Sequence, residues 1–429
     1  MAWKVEFIVL ILASTLVDYY CGIQMSKRTN KKNRIPFLLL SLISNLGLLF
    51  TFKYLDLFGQ TINSIFGTTI PYIGLVLPVG ISFYTFQTLS YSIDIYRGNL
   101  KCEKHLGKFA LYVSFFPQLV AGPIERASQL LPQFQKNDNK LEYSNIVIGI
   151  TQMSIGFFKK VVVADTAALY VNSIYGAPDL YTGFTLWFAT YLFAVQIYCD
   201  FSGYSDIAIG AARMMGYNLM ENFRQPYFSK SITEFWQRWH ISLSTWLRDY
   251  LYIPMGGNRN GKYNTYKNLM LTMLLGGLWH GASWNFVVWG FLNGLYLSIE
   301  RMFGIPKYIE SSNRIIKLFG QLMVFHLICL TWVFFRSGTF DKAIFITERM
   351  FTPSFFFNLS IQDSGVFTSI IINTLLFYLL EITMFNRKSV PSLSWMENPR
   401  WSIPLVVVLF MLVLLFSNSE GSQFIYFQF

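Results

Sequence analysis

The sequence predicts an all-α, polytopic helical membrane protein with about 8–11 spanning helices plus re-entrant and interfacial ones. Three observations carry that prediction. Only 13% of the 429 residues are charged, against roughly 25% in soluble domains. Hydrophobic residues make up 53% of the chain, 42 Phe among them, and mean hydropathy is +0.39. Finally, apolar runs of spanning length alternate with basic loops in the order that a chain crossing back and forth requires. So few charges cannot cover a water-exposed surface, which excludes soluble enzymes, secreted disulfide-stapled domains and disordered tails.

Residues 5–23 are almost continuously apolar, long enough to span roughly 30 Å of hydrocarbon. The cluster Lys27, Arg28, Lys31, Lys32 and Arg34 follows and is read as cytoplasmic. A second span over about 35–54 leads to a loop from Asp56 to Thr69 without Lys or Arg, read as external. A third, about 70–95, returns to Arg97, Lys101, Lys104 and Lys108, so the amino terminus is predicted outside. Lys4 stands alone before the first apolar run and no small-x-small site closes it, so no cleavable signal peptide is expected.

Residues 109–121 are too short to span and end at Gly122-Pro123, which predicts a re-entrant segment. Further spans are expected at about 145–170, 183–212, 317–335, 365–385 and 402–417. The stretch 268–299 is too long for one span and carries Gly276-Gly277 and Gly281, which predicts a broken helix. No repeat of matched halves is visible, which weakens a transporter reading. Residues 1–429 read as one membrane domain, with 213–267 a basic interfacial or cytoplasmic segment within it.

The net charge of +11 would suggest nucleic-acid binding in a soluble chain. Here the basic residues sit between apolar segments, so they are read as topology signals and no nucleic-acid partner is expected. Cys21, Cys102, Cys199 and Cys329 are scattered singly, which supports neither a disulfide framework nor a zinc site.

Between Arg213 and Lys267 basic residues recur, and Ser231-Ile-Thr-Glu234 has the spacing of a capping box. A helix from there would place Trp236, Trp239, Leu243, Trp246, Leu247 and Tyr250 on one face, with Glu234, Arg238 and Asp249 opposite. That predicts an amphipathic, Trp-rich helix at a membrane–water boundary. His240 projects from its apolar stripe, where desolvation favours neutral imidazole; on this helix alone a structural histidine is the stronger reading.

His280, in LLGGLWHGASWNFVVWG, lies inside an apolar stretch flanked by tryptophans and glycines. Ionisable groups at membrane depth are costly, and the glycines permit close approach of a substrate, so a functional role is favoured over a hydrogen bond to a freed carbonyl. His105 in a basic loop is read as bland, and His326 in a plain span as a helix–helix hydrogen-bonding residue. No clustered metal-ligand motif, nucleophile elbow or phosphate-binding glycine pattern is present, and no metal is expected. Asp206 and Arg213 lie seven apart on one helix face, which predicts an internal ion pair.

Five stretches in order resemble the membrane-bound O-acyltransferase (MBOAT) family: LPVGISFYTFQTLSYSIDIYRG (77–98), FFPQLVAGPIERASQLLPQF (115–134), YCDFSGYSDIAIGAARMMGY (198–217), EFWQRWHISLSTWLRDYLYIPMGGNR (234–259) and LLGGLWHGASWNFVVWG (274–290). The likeness is to its bacterial branch, which includes the membrane subunit of alginate O-acetylation and the D-alanyl transfer protein of teichoic acid modification; the terminal FIYFQF is similar to the alginate-type proteins. Alginate-type members usually begin with additional hydrophobic helices before the segment matching residues 3–25, which suggests a shortened amino terminus or a start assigned downstream. The resemblance implies acyl transfer to a hydroxyl of a polysaccharide or other cell-envelope acceptor. It maps the family's nearly invariant histidine onto His280 and its second histidine, in RWHxS, onto His240.

A neutral imidazole near a sugar hydroxyl can take its proton as the ester forms, a step typically worth about 10²–10⁴ in rate. His280 is the expected general base; His240 is expected to orient the acceptor, protonate the leaving group or polarise the acyl carbonyl. No bound cofactor is expected. The donor would be acetyl-CoA or a carrier-protein thioester, whose phosphates the basic 213–267 segment would contact. The expected partners are a polysaccharide acceptor, membrane lipid and an SGNH-type extracytoplasmic acetyltransferase or acyl carrier protein, in a bacterial inner membrane. Two other classes remain: an acyl-group translocator that hands acetyl to a separate transferase, and a structural subunit of a polysaccharide export complex.

Overall fold

The computed structural model describes residues 5–119, 122–135, 142–352, 364–385, 398–417 and 424–425, and its regular elements are all helical. Six of the described helices are long and apolar enough to cross a membrane, which establishes the all-α, multi-pass class. The last four residues of the FIYFQF motif lie outside the described ones.

The chain forms two compact units, and the first comprises Met1–Glu142 with Met215–Met220. It contains α1 (Ile8–Ser26), α2 (Lys31–Phe66), α3 (Ile81–Arg97), α4 (Leu106–Ser114) and α5 (Ala127–Gln135). Lipid tails are as apolar as leucine, so polar bonds help to tie such helices together. Asp18 of α1 accepts from Asn45 Nδ2 of α2 at 2.8 Å and from the Ser92 hydroxyl of α3 at 3.0 Å, with the Ser41 hydroxyl as a third donor.

Two expected boundaries move. Helix α2 does not stop near Tyr54; it passes through a π turn at Phe50–Tyr54 and continues to Phe66, where Gly67 ends it in the left-handed region at φ 66°. The expected third span over 70–95 is helical only from Ile81, because Pro71 and Pro78 cannot join a helix interior and Gly80 adopts φ 81°. Of the 109–121 segment expected to be re-entrant, residues 109–119 form the end of α4 and a single turn at Phe116–Leu119, separated by extended Phe115, while 120 and 121 lie outside the described residues.

Just beyond that segment, Glu125 is buried with Oε1 accepting the Met220 N–H at 2.6 Å. Burial pushes its carboxyl up to about 7, the Met220 bond and Arg126 opposing. The unfolded carboxyl ionises near its ordinary value while the folded one stays protonated, so stability falls as pH rises between about 4.5 and 7 and is flat above. Glu125→Gln, which keeps an acceptor for Met220, is therefore expected to raise stability at pH 8 by on the order of 2–3 kcal/mol and to change little at pH 4. Thermal unfolding of the purified protein at both pH values checks this; an equal effect at both would refute it.

The second unit comprises Tyr143–Met214 and Glu221–Phe429. Its helices are α6 (Tyr143–Gly176), α7 (Gly183–Met214), α8 (Ile232–Arg238), α9 (Ile241–Leu247), α10 (Gly261–His280), α11 (Trp284–Met302), α12 (Arg314–Arg336), α13 (Phe340–Met350), α14 (Ser364–Phe385) and α15 (Pro399–Phe416). Two glycine pairs bring α6 and α7 backbone to backbone: a Cβ on Gly156 would meet Gly203 O at 2.6 Å, and one on Gly149 would meet Gly210 O at 2.7 Å.

A π turn at Phe158–Ala164 then interrupts α6. Neighbouring residues on a regular helix point about 100° apart, yet here Lys159 reaches Asp206 at 2.9 Å and Lys160 reaches Asp200 at 2.7 Å, both on α7. The wider turn aims both ammonium groups at one partner helix. Lys159 also lies 3.7 Å from Glu381 of α14, and Lys160 lies 2.7 Å from Asp165. Asp206, expected opposite Arg213, thus has an ion-pair partner that hydropathy did not reveal.

Candidate active site

Helix α8 begins where the capping box placed it: Ser231 Oγ accepts the Glu234 N–H at 3.0 Å, and Glu234 Oε2 accepts the Lys230 N–H at 2.8 Å. A second anchor comes from α11. Buried Glu300 accepts the Ile232 N–H at 2.6 Å and the Thr233 N–H at 2.8 Å, so a carboxylate satisfies the open donors at the helix start. Glu300→Gln retains one acceptor oxygen and turns an amide toward the other donor. It is expected to cost about 1–3 kcal/mol, read as a lower melting temperature of the purified protein; an unaltered transition would show that this cap does not hold α8.

The predicted single helix does not continue to Tyr250. It breaks after Arg238: Trp239 is extended and His240 is left-handed at φ 44°, ψ 55°, before α9 starts at Ile241. For a non-glycine residue this conformation costs on the order of 1–3 kcal/mol and persists only where surrounding structure enforces it. The enforcing segment is 222–224. Arg224 N–H donates to Arg238 O at 2.9 Å and Ile241 N–H donates to Asn222 O at 2.8 Å, which pairs backbone groups that the break would otherwise strand.

The Trp stripe does not lie on the lipid boundary either. Trp239 is 1% exposed, stacked on Phe235 and 5.1 Å from Trp332, while Trp236 packs edge-on against Trp289. Aromatics at helical spacing serve a protein core as well as an interface, and here they form the packing around the candidate site.

His240 is fully buried, with Phe201 edge-on at 4.6 Å and Trp279 at 5.8 Å. Its Nδ1 lies 3.1 Å from Asn222 Oδ1. Burial alone lowers its pKa to about 3, so the ring is neutral throughout the physiological range.

His280 ends α10. Gly276-Gly277 does not break this helix; the interruption comes at Gly281–Ser283, after the histidine. The glycines instead let α10 and α11 pack antiparallel at close range: a Cβ on Gly277 would lie 3.2 Å from Gly290 Cα and would collide with Phe286 O. The His280 ring is 4% exposed, between Trp279 at 5.0 Å, Trp289 at 4.9 Å and Phe335 at 5.3 Å. Trp279 therefore borders both imidazoles singled out in the sequence.

The other two histidines are local. His105 Nδ1 caps α4 by accepting the Lys108 N–H, and His326 Nδ1 lies 2.7 Å from Leu322 O on its own helix, not on a neighbour. Three basic groups of the 213–267 segment are already paired: Arg224 with Glu221, Arg238 with Glu234 and Arg248 with Asp249. Sequence reasoning passed over Asn222 and Glu300; neither carries a local signal, because each acts on a segment distant in sequence.

This fold and these residues define a class: a multi-pass helical membrane protein with two imidazoles buried among aromatic rings. The MBOAT, membrane-bound O-acyltransferase, family profile matches residues 103–336, and the chain belongs to that family. It is 39% identical to the probable alginate O-acetylase AlgI of Pseudomonas putida, over all of this chain and 91% of that protein. It is 36% identical to the peptidoglycan O-acetyltransferase of Helicobacter pylori, over 81% of this chain and 71% of that protein. Identity to the teichoic acid D-alanyltransferase of Bacillus subtilis is 29%, over 62% and 70%. The chain is thus a membrane O-acyltransferase, as its five motifs led one to expect.

Proposed function

We propose that this enzyme moves an acetyl group from a cytoplasmic thioester, acetyl-CoA or an acyl carrier protein, to a hydroxyl of a cell-envelope or exported polysaccharide, with His280 as general base. The observation that carries the reading is the His280 ring at the end of α10, walled by Trp279, Trp289 and Phe335 in a chain similar over its full length to an alginate O-acetylase.

A sugar hydroxyl is a weak nucleophile at neutral pH. His280 takes its proton as the new C–O bond forms, the thioester C–S bond breaks, and the proton passes to the departing thiolate. Excluding water protects the thioester from hydrolysis and strengthens each polar contact made inside. The bacterial inner membrane separates the thioester pool from the envelope glycan, so the proposed transfer requires a site at membrane depth open to both. An SGNH-type extracytoplasmic acetyltransferase would be the partner under the translocator reading, in which the acetyl group is passed on before it reaches the glycan.

Purified protein given an acetyl thioester and a soluble oligosaccharide is expected to form an O-acetyl ester at a rate proportional to enzyme. Thiol release without ester formation, or ester formation only after a second transferase is added, would favour the translocator reading over this one.

A further inference from the structure

We propose that Asn222 is a positioning residue that fixes the proton of His240 on Nδ1, so that the buried Nε2 lone pair receives a substrate hydroxyl adjacent to the one being acylated, and not the acyl carbonyl. This deepens the acyl-transfer reading above and selects one of the three roles open to His240.

The tautomer follows from the hydrogen bonds of Asn222. Its Nδ2 donates to Ser205 Oγ at 3.0 Å. Its Oδ1 accepts the Ser242 N–H at 3.3 Å and the Ser242 hydroxyl at 2.8 Å, which fixes that atom as the carbonyl oxygen. The same Oδ1 faces His240 Nδ1 at 3.1 Å, and two lone pairs at that distance would repel, so Nδ1 carries the hydrogen. Ser242 Oγ, 3.4 Å from Nδ1, adds a second acceptor on the same side. The opposite nitrogen, Nε2, is buried with no hydrogen-bond partner among the described residues.

An unprotonated Nε2 cannot donate to a carbonyl, nor can it protonate a thiolate. Removal of the hydroxyl proton is assigned above to His280. What it can do is accept one hydrogen bond. The attacking hydroxyl has a single hydrogen, which goes to His280, so the donor reaching His240 is a neighbouring hydroxyl. Sugars supply such pairs of hydroxyls; monohydric alcohols do not. The strained backbone of His240, pinned by Ile241 N–H on Asn222 O, holds the ring in place for this contact.

The test joins a spectroscopic and a kinetic readout. Nitrogen-15 spectra of histidine-labelled protein, with His240 assigned by its loss in His240→Gln, are expected to show protonated Nδ1 and bare Nε2. Asn222→Leu is expected to mix or reverse the tautomers and to lower the preference for an oligosaccharide over a monohydric alcohol by about ten-fold or more, through the acceptor KM. Asn222→Asp keeps an acceptor opposite Nδ1 and is expected to hold the wild-type tautomer and restore that preference. A proton on Nε2 in the wild type, or an unaltered preference in a folded Asn222→Leu, would overturn the proposal. If Asn222→Leu does not fold, the wild-type spectrum and Asn222→Asp decide. Loss of the His280 role would appear separately, as turnover retained by a His280 variant with the His240 spectrum intact.

Discussion

Replacing His280 with alanine is expected to lower the rate of ester formation by about 10²–10⁴-fold, the usual worth of a positioned general base. Thioester binding is expected to survive, since donor recognition does not require proton removal. The ring sits between Trp279, Trp289 and Phe335, so truncation also leaves a small cavity, which costs some stability. His280→Gln separates the two effects by keeping much of the volume without the base. The expected pattern is near-background transfer by both variants at normal protein abundance, with donor affinity within a few-fold of wild type. A glutamine variant that transfers acetyl well while the alanine variant unfolds would make the histidine a packing residue.

The second large effect lies away from the chemistry. Lys159 is 6% exposed at its side chain and stands against Asp206 and Glu381, whose side chains are 21% and 4% exposed. Taking two charges out of water is costly, and removing one partner leaves the other uncompensated, a loss of about 3–5 kcal/mol. Lys159→Met is therefore expected to produce little folded protein, or protein that unfolds far earlier in a thermal or denaturant titration. Adding Asp206→Asn and Glu381→Gln is expected to recover much of that loss, because a neutral, well-packed set is no worse than the ionic one. If the single variant were as stable as wild type, the network would have no part in holding α6 to α7 and α14.

Much of this architecture was legible in the sequence because hydropathy reports the bilayer's demand directly. Composition alone fixed the class, and the starts of α6, α7, α12 and α15 fall within a few residues of the apolar windows. The failures have physical causes. Residues 70–80 open the expected third span over about 70–95, yet Pro71, Pro78 and Gly80 deny them helical hydrogen bonds. The broken helix expected over 268–299 is present, with the break at Gly281 and not at Gly276-Gly277; that pair instead gives close packing of α10 on α11, information that no hydropathy window holds.

The site was half legible. His240 and His280 stood out because imidazoles in apolar, aromatic stretches are costly, and the structure places both against Trp279. The break at Trp239-His240 was invisible, since Asn222 imposes it from 18 residues away in sequence. The capping box at Ser231 needed only four neighbouring residues and was found; the cap supplied by Glu300 comes from another helix and was not.

The most direct measurement of the central claim is transfer by purified His280→Ala protein with and without added imidazole. Background turnover is expected without imidazole, and a rate that climbs with imidazole concentration as the free base enters the vacated space beside Trp289. Turnover close to wild type without any imidazole would contradict it, because the proton would then be leaving the sugar by some other route.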